Sequence, residues 1–151
     1  MIYTLENIRR ESLDDNPVIY SRNIWAKDNW KTHKLRRNII LRLSNGKVIT
    51  IEDGFDWDRS SVPKFLWSIL PPDGDFIIGA LIHDWLYVNN NYIIKEWFNG
   101  NSKKARKFSD KEMLLWSKAV NGTKKGSLKN LDNLIRYRGV RIFGGLLAWK
   151  K

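Results

Sequence analysis

Apolar residues change their spacing once along this chain. Up to about residue 55 they fall in short runs rich in β-branched and aromatic side chains, and from about Asp75 onward they recur at helical intervals. Val18 to Trp25 reads as a first strand. The runs Asn38 to Leu43 and Lys47 to Ile51 flank Asn45-Gly46, a pair that favours a two-residue turn with positive φ at both positions, so a β-hairpin is predicted there. Gly54-Phe55 closes the second strand. Asp58 to Ser61 then reads as a loop leading to Pro63, whose fixed φ suits the first turn of a short helix to Leu70, with Ser61 near the cap.

A longer helix is expected from about Asp75 to Val88, ended by Asn89-Asn90-Asn91. Residues 89–108 read as an insert, a loop with at most one helical turn. Ser109-Asp110-Lys111-Glu112 has the Ser-x-x-Glu form of a capping box, followed by Met113, Leu114, Trp116, Ala119 and Val120 at helical spacing, which predicts a helix to Asn121. Ser127 caps a last helix carrying Leu128, Leu131, Leu134, Ile135 and Ile142 on one side. Strands first and helices after give a single α+β domain over residues 1–151: an N-terminal β-hairpin or small antiparallel sheet, then three to four packed helices.

Composition narrows this picture. At 151 residues, 42% hydrophobic and with eight Trp, the chain can bury a real core, and so many indole N–H groups need partners or a surface. The absence of cysteine excludes disulfides and thiolate metal sites, and two histidines, His33 and His83, exclude a histidine cage. Any metal would be a divalent hard cation held by carboxylates. The opening MIYTLENIRRESLDD has no apolar core of a secretory signal, and no run reaches the length of a membrane span, so a soluble protein made in a cytoplasm is expected.

The formal charge of +11 is distributed in clusters, including Lys103, Lys104, Arg106 and Lys107, and Lys124 and Lys125. Such clusters suit phosphate, an anionic surface or an acidic protein, and equally a solvated surface. Trp25, Trp30, Trp97 and Trp149 interleave with them as candidate stacking platforms or interface anchors. No helix-turn-helix, zinc-finger or RNA-recognition pattern is present, so any nucleic-acid contact would be independent of sequence.

The densest polar group is His83, Asp84 and Tyr87, set in the apolar run Phe76 to Leu86. On a helix His83 and Tyr87 share a face and Asp84 lies about 100° away. An imidazole, a carboxylate and a phenol on a buried helix require internal partners or a cleft.

Five separated motifs now stand together: Gly54-Phe55, Asp58 with Ser61 and Pro63, His83-Asp84-Trp85-Leu86-Tyr87, Asp110, and Val140-Arg141-Ile142-Phe143-Gly144. Over about residues 36–149 their order resembles the phage and prophage family known as domain of unknown function 1353. Ser109 departs from the small residue usual before the helix-opening Asp, and the segment after Tyr87 is longer. The resemblance implies a phage or prophage origin, with the protein in the host cytoplasm or incorporated in a virion, and no defined activity.

Three readings of the polar centre follow. In the first, a hydrolase, His83 is a general base, Asp84 or Asp110 orients it or holds a cation, Tyr87 belongs to the same catalytic set, and Asp58 and Ser61 line the cleft. The His-Asp-x-x-Tyr string resembles the catalytic helix of secreted phospholipases A2, but their cysteines and calcium loop are missing here. In the second, His83, Asp84, Tyr87, Asp58, Ser61 and Arg141 form a buried network that only holds the fold together. In the third, that network supports a virion or accessory protein that docks on a phage protein or on DNA through its basic, Trp-rich surface.

Overall fold

The computed structural model describes residues 1–8, 18–22, 31–58 and 77–121, together with positions 134, 137, 138, 141 and 149. Among the described residues six strands come first and three helices after, an α+β arrangement: β1 (Ile2–Tyr3), β2 (Val18–Arg22), β3 (Lys31–Leu35), β4 (Ile39–Arg42), β5 (Val48–Ile51), β6 (Asp56–Asp58), α1 (Ile77–Val88), α2 (Asn90–Phe98) and α3 (Ser102–Asn121).

The predicted hairpin is β4 and β5, antiparallel, with Ile39 opposite Ile51 and Leu41 opposite Ile49. Alternation explains its place: Ile39, Leu41, Ile49 and Ile51 are buried, while Arg42, Val48 and Thr50 face out. The turn differs from the expected two-residue form. Only Gly46 takes positive φ, at 81°. Leu43 donates to the Lys47 carbonyl and Gly46 to that of Leu43, so Ser44, Asn45 and Gly46 make a three-residue loop with glycine at the left-handed position. Asn45 serves by its side chain instead, accepting from the Lys47 amide at 3.1 Å.

The sheet is mixed rather than purely antiparallel, because β1 joins the hairpin in parallel, Ile2 beside Ile40. A second sheet runs β2-β3-β6, all antiparallel. Asp58, expected in a loop, is therefore on a strand, its backbone paired with Thr32. The expected helix from Pro63 to Leu70, Ser61, and most of the last helix lie outside the described residues; positions 134, 137, 138 and 141 are helical.

Two corrections concern the helices. Residues 89–108 are not a loop, since α2 and the first turns of α3 occupy them. Asparagine is a poor helix former, yet Asn89 breaks α1 from α2 for only one residue, because Ile93 is fully buried and Trp97 and Phe98 stack on Phe108 of α3. Packing overrides propensity there. Ser109 and Glu112 form no capping box either. They lie mid-helix, where the Ser109 hydroxyl donates back to the Ala105 carbonyl at 3.0 Å. The cap is Asn101, whose side-chain oxygen accepts from the Lys104 amide at 3.0 Å.

The core lies between the hairpin and the helices. Leu35, Ile39, Leu41, Ile49 and Ile51 belong to the same buried cluster as Ile78, Leu81, Ile82 and Leu86 of α1, Ile93 of α2, and Trp116 of α3. Helix α1 packs on α3 so closely that a Cβ on Gly79 would come within 2.7 Å of the Met113 carbonyl. That close crossing sets α1 and α3 side by side, and the polar residues of both meet between them.

Candidate functional site

The centre of the site is Asp110, fully buried on α3. Its Oδ1 accepts the Tyr87 hydroxyl at 2.6 Å and lies 3.1 Å from His83 Nε2. Its Oδ2 accepts Arg141 Nη1 at 2.8 Å and lies 3.8 Å from Arg106 Nε. On the other side of the ring, His83 Nδ1 is 3.3 Å from Asp84 Oδ1. Asp84 is partly exposed, whereas His83 is 2% exposed, so the chain of charge runs from solvent inward.

Helix spacing explains the set. His83 and Tyr87, one turn apart on α1, both reach Asp110 on the facing helix, and their rings lie 4.1 Å apart. Arg106, four residues before Asp110, approaches from the same helix and donates from Nη2 to the Arg141 carbonyl. Trp149 closes the far side, edge-on to Tyr87 at 4.8 Å, with its indole N–H donated to the Ser102 hydroxyl at 2.9 Å.

Protonation follows from these contacts. A carboxylate only accepts, so a histidine between two of them is satisfied at both nitrogens when it is the doubly protonated cation. Burial alone lowers the His83 pKa, but hydrogen bonds to Asp110 and Asp84 and their negative charge overcome it, and the value lies above the usual 6.5. Burial raises the Asp110 pKa, but bonds from His83 and Tyr87, the charge of His83 and the bond from Arg141 outweigh it and hold the carboxyl below its usual range. Burial and then the charge of Asp110 push the Tyr87 phenol well up, so it stays a donor.

Four residues expected in the buried network, His83, Asp84, Tyr87 and Arg141, do meet, and they meet around Asp110, which was expected to orient His83 or hold a cation. Asp110 arrives from mid-helix rather than from a helix start. Asp58 is placed by its backbone only, on β6, and Ser61 lies outside the described residues. Arg106, expected among surface cations, is instead half-buried in the network. Trp149, expected as a surface platform, is 9% exposed. Among the described residues no group of three or more His, Cys, Asp or Glu side chains is arranged to hold a metal ion.

A second buried carboxylate escaped the sequence reading. Glu112 is fully buried and accepts the Trp116 indole N–H at 3.0 Å, the Ser44 amide at 3.2 Å and the Ser44 hydroxyl. It fastens the β4–β5 turn to α3. The signal was present in Glu112 and Trp116 four apart on a helix, but the capping-box reading assigned Glu112 elsewhere.

The exposed side of α3 is basic. At 100° per residue, Lys103, Lys107, Lys118, Lys111 and Lys104 fall within an arc of about 100°. Leu114 and Asn121 are the only other residues in that arc, which contains no acid. All five lysines are exposed or half-buried, and none forms a salt bridge with a described residue. Lys111 and Lys118 were missed as part of this face, while Lys124 and Lys125 lie outside the described residues.

An α+β chain built around His83-Asp84 on one helix and Asp110 on another matches one family model, described as protein of unknown function (DUF1353), over residues 33–122. The chain belongs to this family. The match includes every member of the polar centre except Arg141. No curated protein and no solved structure matches the chain. Among the described residues no helix is long and apolar enough to cross a membrane.

Proposed function

We propose that this protein is a docking module for an anionic macromolecule, with the lysine face of α3 as its working surface and the His83–Asp110 network as its internal brace. The observation that carries the reading is the engagement of both His83 ring nitrogens by carboxylates. A general base needs a lone pair directed at a substrate. The imidazolium between Asp84 and Asp110 has none, and it is 2% exposed. Both Asp110 oxygens are engaged, Oδ1 by Tyr87 and His83 and Oδ2 by Arg141, which favours a structural centre over a hydrolytic one. The family resemblance supports a phage or prophage setting, as a virion component or an accessory protein in the host cytoplasm.

The test compares two double variants of equal net charge on an immobilised polyanion such as heparin. Lys104→Glu with Lys111→Glu changes the α3 face; Arg36→Glu with Lys47→Glu changes exposed cations elsewhere. The first should elute at much lower salt than the second. Equal elution of the two would mean that only net charge matters and that α3 is not a docking face.

A further inference from the structure

Resting on that reading, we infer that the partner of the α3 face is double-stranded DNA, gripped through its phosphates without regard to sequence. Lys103 to Lys118 spans about 22 Å at the helical rise, and a DNA duplex presents one phosphate charge per about 1.7 Å of its axis, so five lysines on that length can each find a phosphate. The residues of the face select among polyanions. Protein interfaces are enriched in aromatic residues and Arg and depleted in Lys, whereas this arc holds five Lys, no aromatic and no Arg. Single-stranded nucleic acid is held by aromatic stacking, and the arc itself offers no ring, while Trp97 and Phe108 are half-buried against each other. An α-helix fits the major groove of B-form DNA and not the deep, narrow one of A-form RNA.

Spacing within the face points the same way. Lys103–Lys107, Lys104–Lys107 and Lys107–Lys111 are like-charged neighbours three or four apart on a helix, an arrangement that opposes folding slightly and is relieved when an anion binds. Lysine is a point charge on a flexible stem, suited to a phosphate and poor at the bidentate contacts that distinguish bases. The grip should therefore not discriminate sequence.

Fluorescence anisotropy of the full chain with labelled 20-base-pair DNA tests this. Two unrelated duplexes should bind equally, with log K falling against log salt at a slope of roughly −4, or about 250-fold between roughly 50 and 200 mM salt. Lys104→Gln with Lys111→Gln should reduce the slope by about 2 while leaving circular dichroism unchanged. Equal or tighter binding to RNA duplex or single-stranded DNA overturns the choice of DNA duplex. Equal binding to poly-glutamate overturns it too, and leaves the anionic docking face standing. Failure to bind any of these polymers removes both the inference and the reading it rests on. A slope unchanged by the lysine variant removes α3 as the contact.

Discussion

The buried face of α3 carries two carboxylates, Asp110 and Glu112, each met by donors from other elements, while its solvent face carries five lysines that meet no acid among the described residues. The contrast separates two uses of charge. An ionised group inside the protein costs several kcal/mol unless it is paired and hydrogen-bonded, so every buried charge on α3 comes with its partners and fixes the arrangement of neighbouring elements. An exposed lysine costs almost nothing unpaired. It remains available to a partner, so the inside of α3 holds the fold and the outside meets what the protein binds.

The comparison breaks first at Asp110. Asp110→Ala leaves His83 and Arg141 as facing cations without their anion, and should cost about 3–5 kcal/mol in chemical denaturation. Glu112→Ala frees the Ser44 turn and the Trp116 indole, and about 1–3 kcal/mol is expected, with loss of amide protection around Ser44 in hydrogen exchange. Gly79→Ala presses a methyl group against α3 and should lower stability by a similar 1–3 kcal/mol or so, without any change in anion binding. The smallest effect belongs to the outside: Lys104→Gln with Lys111→Gln should leave the melting temperature unchanged while weakening polyanion binding.

Dependence on pH sharpens the buried half. His83 has a raised folded pKa, so its contribution is full below the unfolded value of about 6.5 and is lost as pH climbs through the folded one. Asp110 has a depressed folded pKa, so its contribution is full above about 3.9 and is lost as pH falls through the folded value. The denaturation midpoint should therefore be level between these limits and decline on both sides. His83→Gln should abolish most of the alkaline decline, as measured by urea titrations at several pH values.

The hairpin was legible because alternation at Ile39, Leu41, Ile49 and Ile51 and a glycine turn are local signals, and local signals suffice for a two-strand unit. The parallel pairing of β1 was not, since nothing in Ile2-Tyr3 specifies a partner nearly forty residues away. His83, Asp84 and Tyr87 stood out as polar residues in an apolar run, and Asp110 and Arg141 entered through the family resemblance. Their meeting depends on how α1 crosses α3, which is a matter of tertiary packing.

The error with the widest consequence was the start of α3. Ser109-x-x-Glu112 satisfies the capping pattern, yet Asn101 caps the helix two turns earlier, and Asn89 to Asn91 concealed α2 behind poor propensity. Starting the helix at Asp110 cut the lysine face in two, leaving Lys103, Lys104 and Lys107 in a supposed loop and Lys111 and Lys118 unremarked. With the helix drawn from Ser102, all five fall in one arc.

His83 braces α1 against α3 as a doubly protonated ring between two carboxylates. The most direct measurement is the nitrogen-15 chemical shifts of its ring at neutral pH, separated from those of His33 with a His33→Gln variant. Protonated shifts at both Nδ1 and Nε2, persisting above pH 7, are the predicted result. A neutral ring at pH 7 with one unprotonated nitrogen would contradict it and return His83 to the role of a base.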